Sequence, residues 1–106
     1  MSDKELIVFE AVKGVSYAAK SLITSYKKNR LMSKAELQHM DIKIKEYLQI
    51  ERTNAVNAVS NNNIRNLIST WNIIKEIDPN SPAYTFAMRQ YELESEALER
   101  ILREIR

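Results

Sequence analysis

The chain of 106 residues has a formal net charge of +2, 44% hydrophobic residues and 28% charged residues, a composition that predicts one globular domain and excludes a disordered tail. It contains no cysteine, which excludes disulfides and thiolate metal sites and predicts a cytoplasmic protein. The single glycine and two prolines leave few positions for tight turns, so we expect a few long helices instead of β-structure.

The first predicted helix covers residues 3–28 and has a broad apolar face at helical spacing. Its polar side carries Lys13 and Lys20 together with Tyr17. The strongly apolar run near the N-terminus covers only residues 6–9, whereas a membrane span needs ~20 apolar residues. We therefore expect neither a signal peptide nor a membrane helix.

The second predicted helix covers residues 34–60, and its start carries the clearest local signal in the chain. Ser33 and Glu36 have the spacing of a capping box, in which each side chain bonds the backbone amide of the other residue. Met32 and Leu37 occupy the two positions of a hydrophobic staple.

The third predicted helix covers residues 64–77, after a break at the three consecutive asparagines 61–63. Asparagine is unfavourable inside a helix and favourable at its N-terminal cap, which supports the break. Without the break, the apolar residues of the two segments would lie on different sides of one long helix.

The fourth predicted helix covers residues 82–105, because Ser81 followed by Pro82 is the pattern of an N-cap with proline in the first helical position. Apolar residues recur along it every seven positions: Tyr84, Tyr91, Leu98 and Ile105.

Short connections between consecutive helices favour antiparallel neighbours. The sequence therefore predicts an all-α fold, an up-down antiparallel four-helix bundle. The alternative is an elongated three-helix protomer with a long central helix, which would form an intertwined dimer.

Catalysis, metal binding and cofactor binding have little support in the sequence. His39 is the only histidine and Gly14 stands alone, which argues against a nucleophilic triad and a phosphate-binding loop. Glu36 and His39 have the spacing of a di-iron motif, but no second such pair exists and Glu36 belongs to the capping box. The carboxylates of the last helix, Glu92, Glu96 and Glu99, are interpreted as a solvated, salt-bridged surface. We expect a non-enzymatic protein without metal or cofactor.

Six basic residues lie between Glu10 and Glu36, in a stretch of the sequence that contains no acidic residue. Such a patch could neutralise phosphates of a nucleic acid or carboxylates of an acidic partner. No DNA-binding motif accompanies it, so a nucleic-acid-associated protein is the alternative function. The residues of this candidate patch are Lys13, Lys20, Lys27, Lys28, Arg30 and Lys34.

Protein binding is the predicted function. Phe86 and Leu93 lie seven residues apart, opposite the apolar stripe of the last helix, and Phe9 and Tyr17 fall outside the apolar face of the first. We expect a small regulator, adaptor or inhibitor that binds a protein partner and forms a homodimer. A self-assembling structural subunit is a second alternative. Abundant isoleucine, lysine and asparagine indicate an AT-rich genome, such as that of a phage or another mobile element.

Overall fold

The computed structural model describes residues 3–28, 33–54 and 61–104, which form four helices. Their bounds are α1 (Asp3–Lys27), α2 (Lys34–Asn54), α3 (Asn61–Ile74) and α4 (Pro82–Glu104). The described ranges contain no strand, so the predicted all-α class is confirmed. None of these four helices is both long enough and apolar enough to cross a membrane.

Side-chain contacts show that α2 and α3 run antiparallel. Trp71 Nε1 donates a hydrogen bond to Asp41 Oδ1 at 2.9 Å, and Arg65 forms an ion pair with Glu51. In one continuous helix, Asp41 and Trp71 differ by 30 positions and would lie about 45 Å apart at a rise of 1.5 Å per residue. The alternative of a long central helix is therefore wrong, and the four-helix bundle is confirmed.

The first and last helices each pack against two others. Helix α1 lies against α2 and α4, and α4 also packs against α3. Ala18 and Ala19 are buried along α1, where small side chains permit a close approach of neighbouring helices. At the C-terminal end of α1, Ser25 Oγ donates a hydrogen bond to Glu36 Oε2 at 2.7 Å, which connects α1 to the start of α2.

Aromatic side chains fill the middle of the core. Trp71 is 1% exposed, and its ring centroid lies 6.0 Å from that of Tyr91. The Tyr91 hydroxyl donates to Met40 Sδ at 3.4 Å, so the core connects α2, α3 and α4. The other large, fully buried side chains are Tyr47, Leu22, Ile64, Leu67, Leu98, Val8, Val12 and Val15.

The predicted helix starts at residues 34 and 82 are confirmed. Glu36 N donates to Ser33 Oγ at 3.1 Å and Ser33 N donates to Glu36 Oε1 at 3.4 Å, which is the reciprocal geometry of a capping box. Ser81 Oγ accepts from the amide of Ala83 at 3.1 Å, as an N-cap does. Met32, the other half of the predicted staple, lies outside the described residues.

The predicted bounds of the third helix are wrong at both ends. Helix α3 includes asparagines 61–63, because amides in the first helical turn need no partner within the helix and asparagine costs little there. It ends at Ile74, three residues early, because the chain tightens before Pro79: Glu76 N bonds Ile73 O and Ile77 N bonds Ile74 O. The predicted residues 55–60 of the second helix lie outside the described ranges, as does residue 105 of the fourth.

Candidate functional site

The lysines of α1 are paired with carboxylates. Lys20 Nζ lies 3.5 Å from Glu99 Oε1, and Lys27 forms an ion pair with Glu92. Lys27 follows Lys20 by seven residues on α1, whereas its partner Glu92 precedes Glu99 by seven residues on α4. The two helices are therefore antiparallel, and the spacing of the lysines matches that of the glutamates. These ion pairs connect α1 to α4.

The other described basic residues of the candidate patch have different surroundings. Lys13 Nζ lies 3.7 Å from Glu10 Oε1 on the same helix. Lys28 and Lys34 are exposed beyond the C-terminal end of α1 and at the first position of α2. Arg30 lies outside the described residues. The ion pair with the Glu92 carboxylate raises the pKa of Lys27, so this lysine stays charged while the carboxylate offsets its charge.

A groove lies between α1 and α4, towards the N-terminal end of α1. It has a volume of about 320 Å³. A smaller cavity of about 180 Å³ lies between the same helices, around Tyr26 and Met88. The larger groove, which we call the α1–α4 groove, is lined by Phe9, Lys13, Ser16, Tyr17, Lys20, Glu99, Leu102 and Arg103.

Aromatic residues give this groove an apolar part. Tyr17 is 73% exposed, so its predicted position outside the core is confirmed. Phe9 also lines the groove, but its side chain is half-buried and packs against the core, because α4 covers the flank of α1 on which it lies. Lys13 Nζ lies 5.7 Å from the centroid of the Phe9 ring, within the range of a cation–π contact.

The rim of the α1–α4 groove is mainly basic. Three cationic side chains, Lys13, Lys20 and Arg103, line it together with one carboxylate, Glu99. Arg103 is exposed and forms no ion pair with any residue of the described ranges. The ion pairs of Lys13 with Glu10 and of Lys20 with Glu99 are partly solvated, and such pairs contribute only about 0–1 kcal/mol each to stability. An incoming anion therefore displaces little existing stabilisation.

A second exposed apolar surface lies on the outer side of α4. Phe86 is 76% exposed and Leu93 is 50% exposed, and their spacing of seven places them on one line of the helix. On α3, Ile73 is 56% exposed. Neither Phe86 nor Leu93 lines the α1–α4 groove, so the structure separates the four candidate protein-binding residues into two surfaces.

No protein-family model, no curated protein and no solved structure matches this chain. The chemistry of the described residues is therefore the basis for any proposal about function. Among them, no group of three acidic, histidine or cysteine side chains is placed to hold a metal ion. His39 is exposed, and Glu36 is bonded within the capping box and to Ser25.

The contribution of α4 to the groove could not be read from the pattern of α4 alone. Glu99 and Arg103 are charged residues on a helix rich in both signs, a pattern typical of a solvated surface. The available signal was the matching period: Glu92 and Glu99 have the same seven-residue spacing as Lys20 and Lys27, which predicts a paired interface if the two helices are antiparallel neighbours.

Proposed function

We propose that this chain is a small, non-catalytic helical regulator, adaptor or inhibitor that binds a protein partner through the α1–α4 groove. The observation that carries this proposal is the convergence of two exposed or half-buried aromatic side chains, Phe9 and Tyr17, with three cations in one groove. Tyrosine and arginine are enriched at the energetic centres of protein interfaces, and Tyr17 and Arg103 occupy opposite helices here.

The pairing of the lysines favours a protein partner over a nucleic acid. Binding to a nucleic acid depends on unpaired cations that displace counterions from successive phosphates. Lys20 and Lys27 instead have carboxylate partners on α4, and Glu10 stands beside Lys13. These carboxylates interrupt the row of positive charges, which suits separate acidic side chains better than a continuous phosphate backbone.

Two features of composition support the setting of this function. The absence of cysteine suits a protein that acts in the reducing cytoplasm. The abundance of isoleucine, lysine and asparagine suits a gene from an AT-rich genome, such as that of a phage or another mobile element.

The test is affinity capture of the tagged chain from a lysate of its source cells, with one half treated with nuclease and the bound material identified by mass spectrometry. We expect protein partners that survive nuclease treatment and are lost with Tyr17→Ala. The matched control is Ile73→Ala, which removes an exposed apolar side chain from α3 and should leave the partners bound. Loss of all partners on nuclease treatment, with nucleic acid in the untreated half, would instead establish the alternative function.

We further propose that the outer side of α4 forms a homodimer contact. Phe86 and Leu93 place two large, exposed apolar side chains on one line, and two-fold dimers that bury the same patch on both copies are the commonest oligomers. Sedimentation at several concentrations measures the association, and Phe86→Asp should shift it to monomer. A wild-type protein that stays monomeric throughout would contradict this second proposal.

A further inference from the structure

We propose that the α1–α4 groove binds an acidic protein segment that presents a large apolar side chain between its carboxylates; this inference rests on the function proposed above. The groove offers two kinds of contact side by side. Its apolar part is formed by Phe9, Tyr17 and Leu102, and its cations are Lys13, Lys20 and Arg103.

The apolar contact sets the size of the side chain that enters. A volume of about 320 Å³ is at the lower end of ligand-sized pockets, enough for one or two large side chains. Leu102 is buried and Phe9 is half-buried, so both are already held in place by the core. Tyr17 is the exposed wall, and an entering aromatic or leucine side chain would remove most of its ring from water.

The charges that line the groove favour a negatively charged partner. Lining cations outnumber lining carboxylates, and Arg103 has no ion-pair partner among the residues of the described ranges. A guanidinium in this state can bind a carboxylate through two parallel hydrogen bonds. Lys13 already lies against the Phe9 ring, so it can contact a carboxylate without leaving the aromatic surface.

The carboxylate of Glu99 argues for a peptide over a polyphosphate. It lies within the groove, 3.5 Å from Lys20 Nζ. A peptide can place an apolar residue opposite Glu99 and its acidic residues opposite Lys13 and Arg103, whereas a nucleic acid presents charge at regular short intervals along its backbone. The spacing of charges within a peptide is thus compatible with the mixed lining of the groove.

The experiment is selection of a random peptide display library on the full chain. Enriched peptides are then synthesised with a fluorophore and titrated by fluorescence anisotropy. We expect the enriched sequences to combine an excess of aspartate and glutamate with an aromatic residue or leucine. Their affinity should fall on raising the salt concentration from about 0.05 M to about 0.3 M, since added salt screens charge contacts on a solvated surface. Peptides with no acidic excess, or no enrichment at all, would overturn the inference.

Variants locate the binding site. Arg103→Glu should weaken the selected peptides by roughly tenfold or more, because a charge-assisted pair becomes a like-charge contact. Tyr17→Ala should weaken them through the apolar contact at every salt concentration. The control is Arg100→Glu, which makes the same charge change on α4 outside the groove lining and should leave affinity within about twofold, as expected for a screened charge. Equal weakening by Arg103→Glu and Arg100→Glu would refute the groove as the site, and far-ultraviolet circular dichroism checks that each variant is folded.

The outcomes distinguish this inference from the function on which it rests. A captured protein partner that depends on Tyr17, together with selected peptides that are basic or uncharged, would retain the proposed function and reject the acidic segment. A partner indifferent to Tyr17 would reject both. Competition of the bound peptide by a single-stranded oligonucleotide at lower concentration than by unlabelled peptide would assign the groove to nucleic acid instead.

Discussion

Replacing Trp71 with phenylalanine tests how the core is joined. The substitution removes the indole N–H that donates to Asp41 at 2.9 Å and leaves a gap beside Tyr91, while keeping an aromatic ring in place. Losing a hydrogen bond to a charged acceptor costs about 1.5–3 kcal/mol, and the gap adds to this. We expect Trp71→Phe to lower the free energy of unfolding by about 2–4 kcal/mol, a large part of the ~5–15 kcal/mol of a typical domain. Trp71→Ala should cost about 3–5 kcal/mol or more.

Urea unfolding followed by circular dichroism at a helical wavelength measures this difference, since the midpoint and slope give the free energy of unfolding. The control is Ile73→Ala on the same helix, where the side chain is exposed and the loss should stay within about 0.5–1 kcal/mol. A Trp71→Phe variant that loses no more than this control would refute the placement of Trp71 in the core and its bond to Asp41.

The same contact has a pH signature. Burial raises the pKa of Asp41, but hydrogen bonds from Trp71 and Lys75 lower it by more, so the pKa lies below its usual value. The carboxylate therefore stabilises the fold at pH values above about 4, the unfolded pKa, and that stabilisation disappears as the pH falls through the lower folded value. Trp71→Phe should lose less stability than the wild type on acidification. If the free energy of unfolding fell by the same amount in the two proteins as the pH was lowered, this account would be contradicted.

Three further predictions concern other parts of the bundle. Gly14→Ala should stabilise the fold by about 0.5–1 kcal/mol, read as a higher Tm, because the added Cβ would lie 3.6 Å from its nearest neighbour and a helical glycine is entropically costly. Burial raises the pKa values of Tyr47 and Tyr91, so stability should hold below pH about 10 and fall above it as the unfolded tyrosines ionise; an alkaline Tm series that stays flat would contradict this. In a double-mutant cycle, Lys20→Glu and Glu99→Lys should each destabilise and together restore, with a coupling of about 0.2–1 kcal/mol that shrinks at high salt. Strict additivity of the two changes would show that the pair does not form in solution.

Local signals in the sequence predicted the helix starts, because their physics involves only neighbouring residues. The capping box of Ser33 and Glu36 needs just one turn of chain to form, and it is present with both reciprocal bonds. The C-terminal end of α3 was placed too late, since periodicity continues to Ile77 while the backbone already tightens after Ile74. The spacing of apolar residues does not show that the hydrogen bonds before Pro79 change from four residues apart to three.

Residues of the α1–α4 groove could be predicted only in part, because their environment is set by a helix distant in sequence. Tyr17 lies on the side of α1 that faces away from the core of the bundle, and its exposure follows from that position alone. Phe9 lies at the border of the apolar face, so its burial depends on where α4 packs. The pairing of Lys20 with Glu99 requires knowing that α1 and α4 are antiparallel neighbours, which no local pattern states.

The position of the single tryptophan provides a built-in optical probe. Trp71 is enclosed among α2, α3 and α4 and does not line the α1–α4 groove, so its emission should change when the bundle unfolds and remain constant when the groove is occupied. Tryptophan emission and ligand anisotropy, recorded on one unlabelled chain, thus report two separate events. Any groove variant that weakens binding can be checked for an intact core in the same cuvette.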